Sequence, residues 1–168
     1  IVEEVSRIAA AGATVGLLAA NTIHVVFDAV RKQSRIPLIS IVEATCEAAR
    51  SRRLRRLGIF GTRYTMLGQF YPDVFAPCGI PIVAPNDAER VYIHAKYVGE
   101  LLRGVFSDET RERLLAIASA MRDREQIDGL ILGGTELPLI LRGVEVDGVS
   151  FLDTTEIHVQ SAVTALAS

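Results

Sequence analysis

The stretch LILGGTELPLIL, residues 130–141, decides how the chain is read. It begins as an apolar run, breaks at Gly133 and Gly134, and presents Thr135 and Glu136 before hydrophobicity resumes. A short continuous apolar run closed by turn residues fits a strand buried on both faces, the form found in parallel sheets. Glycines at its end let a ligand approach the backbone closely, and free amides at a following helix start can hold a carboxylate. LLAANTIH, residues 17–24, has the same form, ending on Asn21, Thr22 and His24. Two such strand ends in one small protein suggest two halves of one site.

Working outward from these two stretches, apolar runs and amphipathic segments alternate. Strands are expected at 14–20, 36–41, 57–62, 80–85, 128–134 and 148–154. Helical patterns fill 1–11, 24–32, 42–56, 64–75, 87–103, 108–124 and 155–167, with Asn86 or Asp87 and Ser107 as capping residues. Parallel neighbours need crossover connections, so this alternation predicts an α/β protein with a largely parallel sheet.

With 49% hydrophobic residues among 168, the chain has ample material for a core. A formal charge of -2 with interspersed signs argues against a nucleic-acid partner, which needs a basic face to neutralise phosphates. The basic cluster RSRRLRR, residues 50–56, reads as a solvated helix end, where cations complement terminal carbonyls. Cys46 and Cys78 lie far apart in no metal-ligand spacing, so neither a metal site nor a disulfide framework is indicated and a reducing cytoplasm fits. No apolar run approaches the roughly 18 to 20 residues of a membrane span, and no signal peptide opens the chain. The first residue, Ile1, already stands inside an amphipathic pattern with Val2, Val5, Ile8 and Ala9, and an upstream segment is expected.

In open parallel sheets, ligands bind beyond the carboxyl ends of the strands. Four ends carry polar side chains: Asn21, Thr22 and His24; Thr62, Arg63, Tyr64 and Thr65; Thr135 and Glu136; Asp153, Thr154, Thr155 and His158. Each has a plainer role open to it. Asn21, Thr22, Thr135 and Thr154 can cap the helices that follow, and Glu136 can serve a helix dipole. His24 and His158 can be packing groups, and Tyr64, Tyr71, Tyr92 and Tyr97 core or rim aromatics.

AANTIH, GIFGT with RYT, ILGGTELPLIL and FLDTTEIH resemble, in this order and over essentially the whole chain, the signature segments of the aspartate/glutamate racemase family. The resemblance implies two pseudo-symmetric α/β lobes, each with a mainly parallel sheet flanked by helices, and a site in the cleft between them. Residues 1–56 and 148–168 then form what is present of the N-terminal lobe and 57–147 the C-terminal lobe. The family's opening strand and Gly-rich turn have no match, which fits an absent N-terminal part of the first lobe. The resemblance further implies an isomerase that needs neither pyridoxal phosphate nor any other cofactor, in which two opposed cysteine thiols move the α-proton. Asn21, Thr22, Thr62, Thr65, Gly134 and Thr135 form the implied substrate-binding set.

The chain departs from the pattern at both thiol positions, which are Ala20 and Gly134. Neither side chain can transfer a proton, so another group must, with Glu136, His24 or His158 the nearest candidates by sequence, or a group in the absent N-terminal part. The expectation is an amino-acid racemase acting on a small amino acid or related carboxylate without the usual cysteine pair. The rivals are a lyase or decarboxylase on the same scaffold and an inactive carboxylate-binding protein. Expected partners are a small amino acid or dicarboxylate ligand and a second copy of the chain in a homodimer, with no nucleic acid and no membrane.

Overall fold

The computed structural model describes residues 1–167. In the first third, α1 (Val2–Ala10) leads to β1 (Gly16–Leu17), and a 3-10 turn (Thr22–Val26) with α2 (Phe27–Gln33) returns the chain to β2 (Leu38–Ile39), parallel to β1. These strands pair over only two residues each, far less than the apolar runs 14–20 and 36–41 suggest. A ladder is as long as its shared register, and a two-stranded sheet is marginal without outside packing. Next, α3 (Ile41–Ser51) starts on the hydroxyl of Ser40, which accepts from the Glu43 amide, and the chain turns away at Arg53 with φ 59°. The basic cluster 50–56 therefore spans a helix end, with ion pairs from Arg50 to Glu47, Arg55 to Asp128 and Arg56 to Glu125.

The larger sheet begins with β3 (Leu57–Gly61), followed by α4 (Arg63–Leu67), α5 (Phe70–Phe75) and β4 (Ile82–Val83). The expected single helix over 64–75 is broken at Gly68, whose extended backbone runs against the Phe70 ring. Then come α6 (Asp87–Gly99), opened by a reciprocal Asn86–Glu89 capping box, and α7 (Asp108–Glu125), capped by Ser107. The chain closes with β5 (Gly129–Gly133), α8 (Leu137–Ile140), β6 (Ser150–Asp153) and α9 (Thr154–Ala167).

All four strands of this sheet are parallel, in the order β4-β3-β5-β6. Side chains alternate across it. Leu57, Ile59, Ile131 and Leu152 pack with Ile41, Cys46, Tyr71 and Phe75 from α3 and α5, while Phe60, Leu130 and Leu132 pack with Ile93, Leu114 and Met121 from α6 and α7. Both faces are thus covered, which is why β3 and β5 are apolar at every position. The chain leaves β3 for one edge and returns through β5 on the other side, so the strand order reverses between β3 and β5. Such a reversal opens a crevice at the carboxyl ends of the two strands.

One assignment is corrected. The segment 148–168 was expected in the N-terminal lobe, but β6 pairs with β5 over Ser150–Asp153 and belongs to the four-stranded sheet. The cause is register, since the β6 backbone completes the β5 ladder. Its helix α9 packs on α3 and reaches β2, where the ring of His158 bonds the Ile39 carbonyl at 2.9 Å. The two parallel sheets, each flanked by helices, are joined through this helix.

Candidate active site

The crevice between β3 and β5 is formed by backbones in close approach. A Cβ at Gly133 would come within 2.7 Å of the Phe60 carbonyl oxygen, so the strand end needs glycine. Just past β3, Thr62 caps α4, and its hydroxyl stands 3.2 Å from that of Thr65 one turn on. The 3-10 turn after β1 brings in Thr22, whose hydroxyl is 2.9 Å from Thr62 and 3.0 Å from Thr65. Three hydroxyls from two sheets therefore converge, with Thr22 and Thr62 half-buried and Thr65 buried. Each holds one donor that can turn from its neighbour to an incoming anion. A cavity of about 560 Å³ opens beside them, lined by Thr22, Val25, Arg63, Tyr64, Leu67 and Gly68.

At the end of β5, Thr135 donates to Glu136 Oε2 at 2.8 Å, and Tyr97, from α6, donates to the same oxygen. No hydrogen bond reaches Oε1 from the described residues. Burial first, then the neighbouring carboxylate, raises the Tyr97 phenol above its usual range, so it stays a donor. The ring also lies against Gly134, where a Cβ would meet Tyr97 Cε2 and Oη at 2.5 Å. Gly134 does not have the left-handed φ that would by itself demand glycine. The space a side chain would take there is occupied by Tyr97.

The remaining expected residues divide between support and rim. Asn21 is 3% exposed and caps nothing. Tyr71 Oη donates to its Oδ1 at 2.5 Å, and its Nδ2 donates at 3.0 Å to Thr154, which in turn donates to the Leu132 carbonyl at 2.8 Å. Its carboxamide ties the Thr22 turn to β5 through one bond at each end, which leaves it a second N–H and a second lone pair. The His24 ring is likewise bonded to the protein at both nitrogens. Its Nε2 accepts from the Ile41 amide at 3.2 Å, so the proton lies on Nδ1, which donates to the Ala20 carbonyl at 2.8 Å. Desolvation lowers its pKa to about 4, and the ring stays neutral. Burial lowers His158 as well. Asp153, rather than Thr154, caps α9. Ala20 is exposed.

Two residues escaped the sequence reading, Tyr97 and Tyr71. Both were expected only as core or rim aromatics, and their partners lie 39 and 50 residues away along the chain. The one available signal was the Gly133-Gly134 pair, whose missing side chains leave space that something must fill.

Residues 1–162 match the family model for Asp/Glu/hydantoin racemases. The chain belongs to this family. Its fold superimposes on an aspartate racemase homologue from Pyrococcus horikoshii with a TM-score of 0.89 and 32% identity, over 99% of this chain and 73% of that one. A Pectobacterium carotovorum protein named only for its place in the pnlA 3′ region is 29% identical over 144 residues, 82% of this chain and 90% of that protein. The glutamate racemase of Mycobacterium tuberculosis is 29% identical over 115 residues, covering 66% of this racemase-family chain but 39% of the enzyme's length. Among the described residues, no group of three or more His, Cys, Asp or Glu side chains is placed to hold a metal ion, and no helix is long and apolar enough to cross a membrane.

Proposed function

We propose that the protein is a cofactor-independent amino-acid isomerase, acting on a small amino acid or related carboxylate, with Glu136 as its acid–base group in place of a thiol pair. The observation that carries this reading is the convergence of the Thr22, Thr62 and Thr65 hydroxyls next to a strand end bearing a carboxylate. In this reading, the hydroxyls donate to the substrate carboxylate while Glu136 Oε1 removes the α-proton. The electron pair left on the α-carbon spreads into that carboxylate, where the threonine donors meet the growing charge. Tyr97 and Thr135 hold Oε2 and fix the orientation of the base.

Return of the proton from Glu136 to the same face regenerates the starting enantiomer. Delivery of a proton from water on the opposite face gives its mirror image, and Glu136 then releases the proton it took to solvent. The family name and the glutamate racemase relative make glutamate and aspartate the first ligands to test. Titration calorimetry with both enantiomers of each should detect binding that Thr22→Val weakens tenfold or more, since a charge-assisted hydrogen bond contributes about 1.5 to 3 kcal/mol. Equal affinity in parent and variant would remove the threonine cluster from the site. A second reading, a carboxylate-binding protein without turnover, draws support from the Tyr97 ring filling the space beside Gly134.

A further inference from the structure

Cys46 and Cys78 are 32 residues apart in the chain, yet their sulfurs stand 3.3 Å from each other. Cys46 lies on α3 within the core face that includes Ala49, Tyr71 and Phe75, and its thiol also points to the Val74 carbonyl at 3.8 Å. Cys78 is exposed, at the end of the 3-10 turn Ala76–Cys78 that precedes β4. A disulfide has its sulfurs about 2.05 Å apart, so the two are in contact but unbonded, and a small approach would join them. One thiol open to solvent and a second held against it from the protein side is the arrangement that lets an oxidised cysteine be resolved within the chain. Neither thiol bonds a member of the threonine cluster among the described residues, and the proposed isomerase chemistry has no use for them.

We infer that Cys46 and Cys78 form a reversible dithiol–disulfide couple, oxidised by a hydroperoxide. The exposed Cys78 sulfur attacks one peroxide oxygen, the O–O bond breaks, an alcohol or water leaves, and Cys78 becomes a sulfenic acid. The Cys46 sulfur then attacks the Cys78 sulfur. The S–O bond breaks, and the departing hydroxyl takes the Cys46 proton to leave as water. Two electrons and two thiol protons have passed to the peroxide, and one S–S bond has formed. Burial, then the Cys78 thiol beside it, pushes Cys46 up to about 12, which keeps it protonated and leaves the first attack on peroxide to the exposed Cys78. The bond would fasten α3 to the turn ahead of β4, two elements on the same face of the larger sheet.

The test is intact mass and thiol count after exposure to hydrogen peroxide in stoichiometric amount. Both thiols should disappear together, the chain should lose two hydrogen atoms, a peptide joining Cys46 to Cys78 should appear, and dithiothreitol should restore the starting mass. Cys46→Ser, or Cys46→Ala where the serine variant folds poorly, should stop at a Cys78 sulfenic acid that dimedone traps. Oxygen added to the parent without the 46–78 peptide, or cross-links only between chains, would overturn the inference. The readout is mass, so it is independent of whether the isomerase reading holds.

Discussion

Replacing Gly134 with Ala adds a single methyl group, and the structure sets its cost. The new Cβ would lie 2.5 Å from Tyr97 Cε2 and Oη and 2.7 Å from Cζ, where unstrained carbon contacts need about 3.5 to 4.0 Å. Tyr97 is 5% exposed and packed among Ile93, Leu101 and Leu137, so its ring has little room to retreat. Overpacking of this kind costs about 1 to 3 kcal/mol. A ring that does swing aside also loses its bond to the Glu136 carboxylate, about 1.5 to 3 kcal/mol more. Urea unfolding followed by circular dichroism should therefore show Gly134→Ala destabilised by about 2.5 to 6 kcal/mol if the ring gives way. The decisive comparison is the same change in a Tyr97→Val background, where the ring is gone and the methyl should cost less than about 1 kcal/mol. Equal costs in the two backgrounds, or a near-neutral Gly134→Ala in the parent, would refute the claim that Tyr97 fills the side-chain space of position 134.

The same geometry predicts that Ala20→Cys with Gly134→Cys will not yield a working thiol pair unless Tyr97 is also reduced in size, as α-proton exchange in the double and triple variants would reveal. Tyr71→Phe leaves the buried Asn21 Oδ1 without its donor and should cost about 1 to 3 kcal/mol by urea unfolding. Acid should weaken the fold through His24. Its folded pKa, about 4, lies below the unfolded value of 6.5, so the unfolded chain binds the proton first. Stability is then complete above pH 6.5 and falls as pH drops toward 4, by on the order of 3 kcal/mol, and His158 acts with the same sign. Urea unfolding across that window should show a shallower pH dependence in His24→Gln. Tyr97→Phe keeps the ring but removes one of the two donors to Glu136 Oε2, leaving only Thr135, and should slow α-proton exchange about tenfold or more while leaving ligand affinity within about twofold.

The larger sheet was readable because its central strands are buried on both faces. Such strands are apolar throughout, and the runs at 57–62 and 128–134 became β3 and β5 with their ends shifted by a residue. The Gly-Thr sequences closing them marked the crevice for the same reason, since only glycine permits the approach seen at Gly133. Pairing partners were another matter. Nothing local in SFLD, residues 150–153, says whether it joins β1 or β5, and the correct neighbour follows from register across the assembled sheet. Side-chain alliances were equally hidden. Asn21 has the composition of a helix cap, but Tyr71 and Thr154 reach it from 50 and 133 residues away and turn it into a buried tie. His24 has the composition of a base, but two main-chain bonds consume both its nitrogens. Polar residues near a strand end can be found from sequence, whereas which of them keep free donors depends on who else arrives.

The measurement closest to the central claim is α-proton exchange in deuterated water, followed by NMR on glutamate and aspartate, with the product enantiomer resolved in parallel. The account predicts deuterium at the α-carbon with the parent protein and its loss in Glu136→Gln, while calorimetry still detects ligand in the variant. Exchange persisting at the parent rate in Glu136→Gln would contradict the role given to this carboxylate, and ligand bound by the parent with no exchange in either would leave a binding protein in place of an isomerase.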